Sequence, residues 1–150
     1  MSNVNQVSQV EGVIEYGRAT ATDFDLRTGT IKSPTRVDLE LTLLEVRELV
    51  KGAHNEAGDI KTQYSVLMHL SLVLANGNEA TVFDLSSRET YVVKSFLEQR
   101  LLDLEHLRKA ENEAEVSDEL RTFDADVYIT LKLLLLTIRE VLVGEIIDMH

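Results

Sequence analysis

Four histidines are the first places to look for proton transfer or metal binding, and their surroundings argue against both. His106 has Glu105 beside it but no second histidine four residues on, so the paired imidazoles of a His-Glu-x-x-His zinc helix are missing. His69 stands among Leu67, Ser71 and Val73, His54 falls in a polar segment between two glycines, and His150 is terminal. Asp23-Phe24-Asp25 begins like a calcium loop, but Arg27 occupies the third acidic position and no glutamate stands at the twelfth. Asp124 and Asp126 would lie about 200° apart around a helix, too far to share a cation. There is no cysteine, hence no thiolate nucleophile and no Cys-based zinc site. A glycine-rich phosphate loop and a Gly-x-Ser-x-Gly elbow are also absent. The expectation is a protein without metal or cofactor that is not an enzyme.

Arginine offers a different chemistry. Arg18, Arg27 and Arg36 fall in the first half of the chain, near Tyr16 and Tyr64. A guanidinium fork suits phosphate, so a small anionic, nucleotide-like ligand held by Arg18, Arg27, Arg36 and Tyr64 is one expectation; solvated arginines on a sheet surface are the plainer one. The net charge is −11, from 26 acidic and 15 basic residues. It is spread evenly, with 7 basic against 12 acidic residues in 1–85 and 8 against 14 in 86–150. Nucleic-acid binding needs clustered cations to displace counterions, so that partner is disfavoured. An acidic inhibitor mimicking nucleic acid is a third expectation, weakened by the 15 interspersed cations.

These groups must be positioned by elements that glycine and proline mark out. Six of the seven glycines and the single proline precede residue 78, and only Gly144 follows. Breakers at that frequency suit short strands and turns, whereas the free run from Asn78 to Val143 suits helices. The chain is therefore read as α+β: an antiparallel sheet of four to six strands over residues 10–85, then two long helices from about 87 to 148, an αα-hairpin packed on one sheet face. Residues 1–9 form a flexible arm, and 10–150 a single domain. Residues 10–22 read as a half-buried strand, and Val37, Leu39 and Leu41 alternate with Asp38, Glu40 and Thr42. The phase then slips over 41–51, which suits a bulged strand or a helix, the strand being preferred. Tyr64–Leu74 reads as a strand, turned at Asn76-Gly77 into a hairpin with Ala80–Leu85. Ser86-Ser87-Arg88-Glu89 is a capping box opening the first long helix, and Ser117 is expected to cap the second.

The second helix, read from Leu120 to Ile147, carries two apolar rows. Phe123, Val127, Leu131, Leu134, Ile138, Val141 and Leu142 form one stripe, and Ile129, Leu133, Leu136, Val143 and Ile147 another. Lys132, Arg139, Glu140 and Glu145 rule out a bilayer span, since each costs about 2.5–3.5 kcal/mol near a membrane centre. With no cysteine and no signal peptide at Met1–Gln6, a cytoplasmic protein is expected. A helix docked once needs one stripe. The second, with Leu133, Leu136, Val143 and Ile147 as its interface residues, implies a partner: another copy of the chain, or another protein.

Overall fold

The computed structural model describes residues 9–10, 13–16, 18–21, 24–25, 30–31, 36–54 and 58–142. Strand β6 (Arg36–Thr42) is paired on both sides, and its alternation buries Val37, Leu39 and Leu41 and exposes Arg36, Asp38 and Glu40. Strand β7 (Ala80–Ser86) pairs antiparallel with its whole length, setting Leu85 opposite Val37 and Phe83 opposite Leu39. On the other side β3 (Ala19–Ala21) sets Ala19 opposite Leu39 and Ala21 opposite Val37. Strands β1 (Gln9–Val10) and β2 (Val13–Tyr16) extend the sheet in the order β1-β2-β3-β6-β7, while β4 (Phe24–Asp25) and β5 (Thr30–Ile31) pair apart from it. The strand expected over 10–22 is thus three short strands, and the arm expected over 1–9 lies outside the described residues except for Gln9.

The expected architecture of four to six strands and two helices is overturned. The antiparallel core is the three strands β3, β6 and β7, and the described residues carry four α-helices rather than two. Two stretches read as strand are helical: α1 (Leu43–Lys51) and α2 (Ile60–Asn76). At α1, Thr42 accepts from the Glu45 amide at 3.2 Å and Glu45 accepts from the Thr42 amide at 2.8 Å. This capping box ends the strand and starts the helix at once. At α2, Asp59 caps the first turn by accepting from the Thr62 amide. Gly77, at φ 71°, ends the helix with its amide donated to the Val73 carbonyl. A left-handed glycine serves a helix C-terminus as well as a hairpin, so Asn76-Gly77 is a cap, not a two-residue turn. Strand β7 therefore pairs with β6 rather than with residues 64–74.

The first long helix is as expected at its start. Helix α3 (Ser87–Glu113) opens on the Ser86–Glu89 capping box and buries Val92, Val93, Phe96, Leu97, Leu101 and Leu104. The second is shorter than expected. Ser117 makes no side-chain cap; residues 118–120 form a single 3₁₀ turn, and α4 (Ala125–Val141) starts at Asp124, which accepts from the Asp126 and Val127 amides. Buried residues of all four helices and of β3, β6 and β7 form one continuous core. On the opposite face of β6 and β7 Arg36 is bridged to Asp84 at 2.8 Å, beside the exposed Asp38, Glu40 and Val82.

Two joints fix the helices on one another. Glu48 of α1 is buried and accepts from Arg100 of α3 at 2.8 Å and from Lys51 at 3.2 Å. Next to it Gly52 ends α1 against the Phe96 carbonyl oxygen, where a Cβ would overlap backbone. At the far end Glu111 accepts from the Thr122 amide at 2.7 Å, the Thr122 hydroxyl at 2.9 Å and the Phe123 amide at 3.1 Å. Those bonds turn the chain back towards α4.

Gly52→Ala is expected to destabilise the fold by at least about 2 kcal/mol, because neither backbone can give way; urea denaturation measures it. The Thr122 amide, opposed by burial and aided by the Phe123 amide, holds the Glu111 carboxyl below the ordinary glutamate range. A depressed folded-state pKa stabilises above the unfolded value and is lost as pH falls through the folded one. Wild type should therefore lose stability as pH falls below about 4. Glu111→Gln should melt lower at pH 7 and show a shallower acid limb in a melting series from pH 7 to pH 3.

Candidate functional site

Helix α4 carries one of two exposed apolar rows among the described residues. One side buries Leu131, Leu134, Leu135, Ile138 and Val141 against α3 and β3, where the small Ala19 and Ala21 let the helix approach. The other side leaves Ile129, Leu133 and Leu136 exposed at 56%, 59% and 53%. Of the four successive leucines, 134 and 135 are inside and 133 and 136 outside. The first expected row is thus the core row, with Phe123 and Val127 partly buried at its start, and the second is an outward seam. Val143 and Ile147, the other two expected interface residues, lie outside the described residues.

The surroundings of the seam are polar and already satisfied. Thr130 and Thr137 return their hydroxyls to the carbonyls of Asp126 and Leu133, at 2.9 Å and 3.3 Å. Towards α3, Tyr128 donates to Glu105 at 2.8 Å, Lys132 lies 5.6 Å from the Tyr128 ring centroid, and Arg139 meets Glu98 at 3.4 Å. On the opposite flank a cavity of about 250 Å³ separates Leu133 and Leu134 from an ion pair between Arg18 and the buried Glu45. The apolar row thus lies between polar borders.

The arginines do not converge. Arg18 is committed to Glu45 beside α4, and Arg36 to Asp84 at the other end of the sheet. Tyr64 projects from the exposed side of α2, and Arg27 lies outside the described residues. Among the described residues no group of three histidines and carboxylates could hold a metal ion.

Three further carboxylates are held by neighbouring donors. Burial pushes Asp103 up, but bonds donated by His54 and Gln99 outweigh it and hold the carboxyl below its ordinary value. The His54–Asp103 pair, 2.6 Å long, sits on the surface with the imidazole 58% exposed. For Glu89 too, burial is outweighed by bonds from the Ser86 amide and the Ser65 hydroxyl, and the pKa is lowered. Asp59 is lowered by the Thr62 amide and hydroxyl. Each shift follows from a cap or a local bond rather than from a proton shared between carboxylates.

A second apolar row was hidden from the sequence reading. Ile60, Tyr64, Met68 and Leu72 of α2 are each 56–68% exposed. Their uniform spacing of four was the available signal, masked because the same stretch also alternates apolar and polar residues with a period of two. No helix among the described residues is long and apolar enough to cross a membrane. No protein-family model, curated protein or solved structure matches this chain.

Proposed function

We propose that the protein is not an enzyme and acts by assembling with copies of itself through the outward seam of α4. The observation that carries this reading is the solvent exposure of Ile129, Leu133 and Leu136 in one row on a helix whose other side is fully buried. Those side chains leave on the order of 300 Å² of contiguous apolar surface in water, comparable with the largest patch of an ordinary monomer, which is often functional. Their spacing is four then three. Alternation of four and three is the seam of helices packed about 20° from parallel or antiparallel, knobs into holes. A twofold contact buries the same row on both chains at once and needs no second complementary surface. The cavity beside Leu133 gives such a contact a recess for a partner side chain.

Light scattering coupled to size-exclusion chromatography tests the reading. The expected mass at micromolar concentration is at least twice the 16.9 kDa of one chain. Leu133→Glu or Leu136→Glu should return it to the monomer mass with the helix content unchanged, whereas Lys132→Glu, on the polar flank, should leave the particle intact. A wild-type mass of one chain would contradict the proposal.

A further inference from the structure

Among the described residues the sheet ends at β7, and the direction of its free backbone groups follows from the ladder beside it. Glu40 donates its amide to the Arg18 carbonyl at 3.1 Å, towards β3, so it does not bond Val82, the residue opposite it on β7. Bonded and non-bonded pairs alternate along an antiparallel ladder. Ala80 and Val82 therefore turn their N–H and C=O groups to the open edge, and so does Asp84, whose carbonyl already accepts from the Arg36 guanidinium at 3.2 Å. The Leu43 amide, donated to the Glu79 carbonyl at 2.9 Å, places the odd-numbered residues in the bonded set and agrees.

A groove of about 340 Å³ runs along this edge, walled by His69, Leu72 and Val73 of α2 and floored by residues 81–84 of β7. Floor residues of both parities contribute, so it is the edge of the strand, not one face, that opens into the groove. The Thr81 hydroxyl there is buried and has no hydrogen-bond partner among the described residues. Beyond Leu72 the apolar wall continues along α2 through Met68 and Tyr64, both exposed.

We propose that this groove binds an extended, apolar segment of a partner protein, flanked by lysine or arginine, as an added strand on β7. Unpaired edge amides and carbonyls select an extended backbone, and the α2 wall takes its alternate apolar side chains. Charge selects the flanks. Glu79 and Asp84 border the edge, Asp38 and Glu40 lie one strand in, and Arg36 pairs with Asp84, in a chain of net charge −11. A second copy would set that same acidic edge against itself, so a basic partner is the complementary one. This surface belongs to α2 and β7 and is independent of the α4 seam.

The probe is a fluorescein-labelled peptide, Lys-Lys-Val-Leu-Val-Phe-Val-Lys-Lys, titrated with the full chain and read by anisotropy. Saturable binding that weakens with added salt is expected. Val82→Pro removes one outward N–H that takes no part in the β6–β7 ladder, and proline is tolerated on an edge strand. It should weaken binding at least about tenfold with an unchanged far-UV spectrum. A peptide N-methylated at alternate residues should lose affinity for wild type equally, and so should the original peptide for Leu72→Asp, an exposed position that leaves the edge intact. No binding by wild type, or equal binding of the methylated peptide, would overturn the proposal. So would a Val82→Pro chain whose particle mass falls, since the edge would then be occupied by a second copy.

Discussion

The sheet offers its helices one apolar face, carried by Val37, Leu39, Leu41, Phe83 and Leu85, and four helices have to share it. Five strands about 4.8 Å apart span about 19 Å between their outer axes. Helices pack 8–10 Å apart, so about two fit side by side on such a sheet. The two that do are α3, over β6 and β7, and α4, over β2 and β3. Helices α1 and α2 pack mainly against α3 and one another. A helix at the margin of such a layer can be covered on one side only. Both exposed apolar rows sit on marginal helices, α2 at one end and α4 at the other. The surplus of apolar surface is thus a consequence of the layer arrangement, and it falls where other chains can reach it.

Polar joints make this uneven layer hold together. Glu45 and Glu48 are charged residues on the inner side of α1, and each is matched, to Arg18 beside the sheet and to Arg100 of α3. Removing one partner from a buried pair is far more costly than never having had the pair, so α1 is locked between sheet and α3 in a single register. Gly52 brings the end of α1 into backbone contact with α3, a distance that no other residue permits. Glu111 sets the return of α4 in the same way, with three donated bonds on one carboxylate. The lowered pKa values of Glu111, Asp59 and Glu89 thus mark turns and caps of the scaffold, with no acid–base function needed to explain them.

Much of this was legible in the residues, and the failures have identifiable causes. The alternation of β6, the Ser86 capping box and the buried row of α3 appear where pattern places them, because there period and capping agree; α4 keeps its buried row and the outward Ile129, Leu133 and Leu136, although the expected Ser117 cap does not form. Between residues 43 and 76 they disagree. Tyr64, Val66, Met68, Leu70, Leu72 and Leu74 satisfy a period of two, yet Val66, Leu70 and Val73 go inside and Tyr64, Met68 and Leu72 stay outside. An apolar run on a doubly used helix fits both periods. The capping signals Thr42…Glu45 and Asp59…Thr62 were the means of deciding, and both favour helix. Ser117 misled in the opposite sense, since nothing local distinguishes a serine before a 3₁₀ turn from a helix cap. For the candidate site, exposure of Leu133 and Leu136 could be argued from the excess of apolar rows, whereas the groove at β7 depends on which strand is last in the sheet, a tertiary fact.

The absence of cysteine allows the α4 seam to be tested without background. Single substitutions Ile129→Cys, Leu133→Cys and Leu136→Cys place one thiol at a time along the row, with Ser71→Cys on exposed α2 as the control. If two copies meet through this seam about a twofold axis, mild oxidation should convert the position nearest the axis largely to a disulfide-linked dimer, while Ser71→Cys stays single. Equal and slow linkage at all four positions would mean random collision, and would contradict assembly through α4.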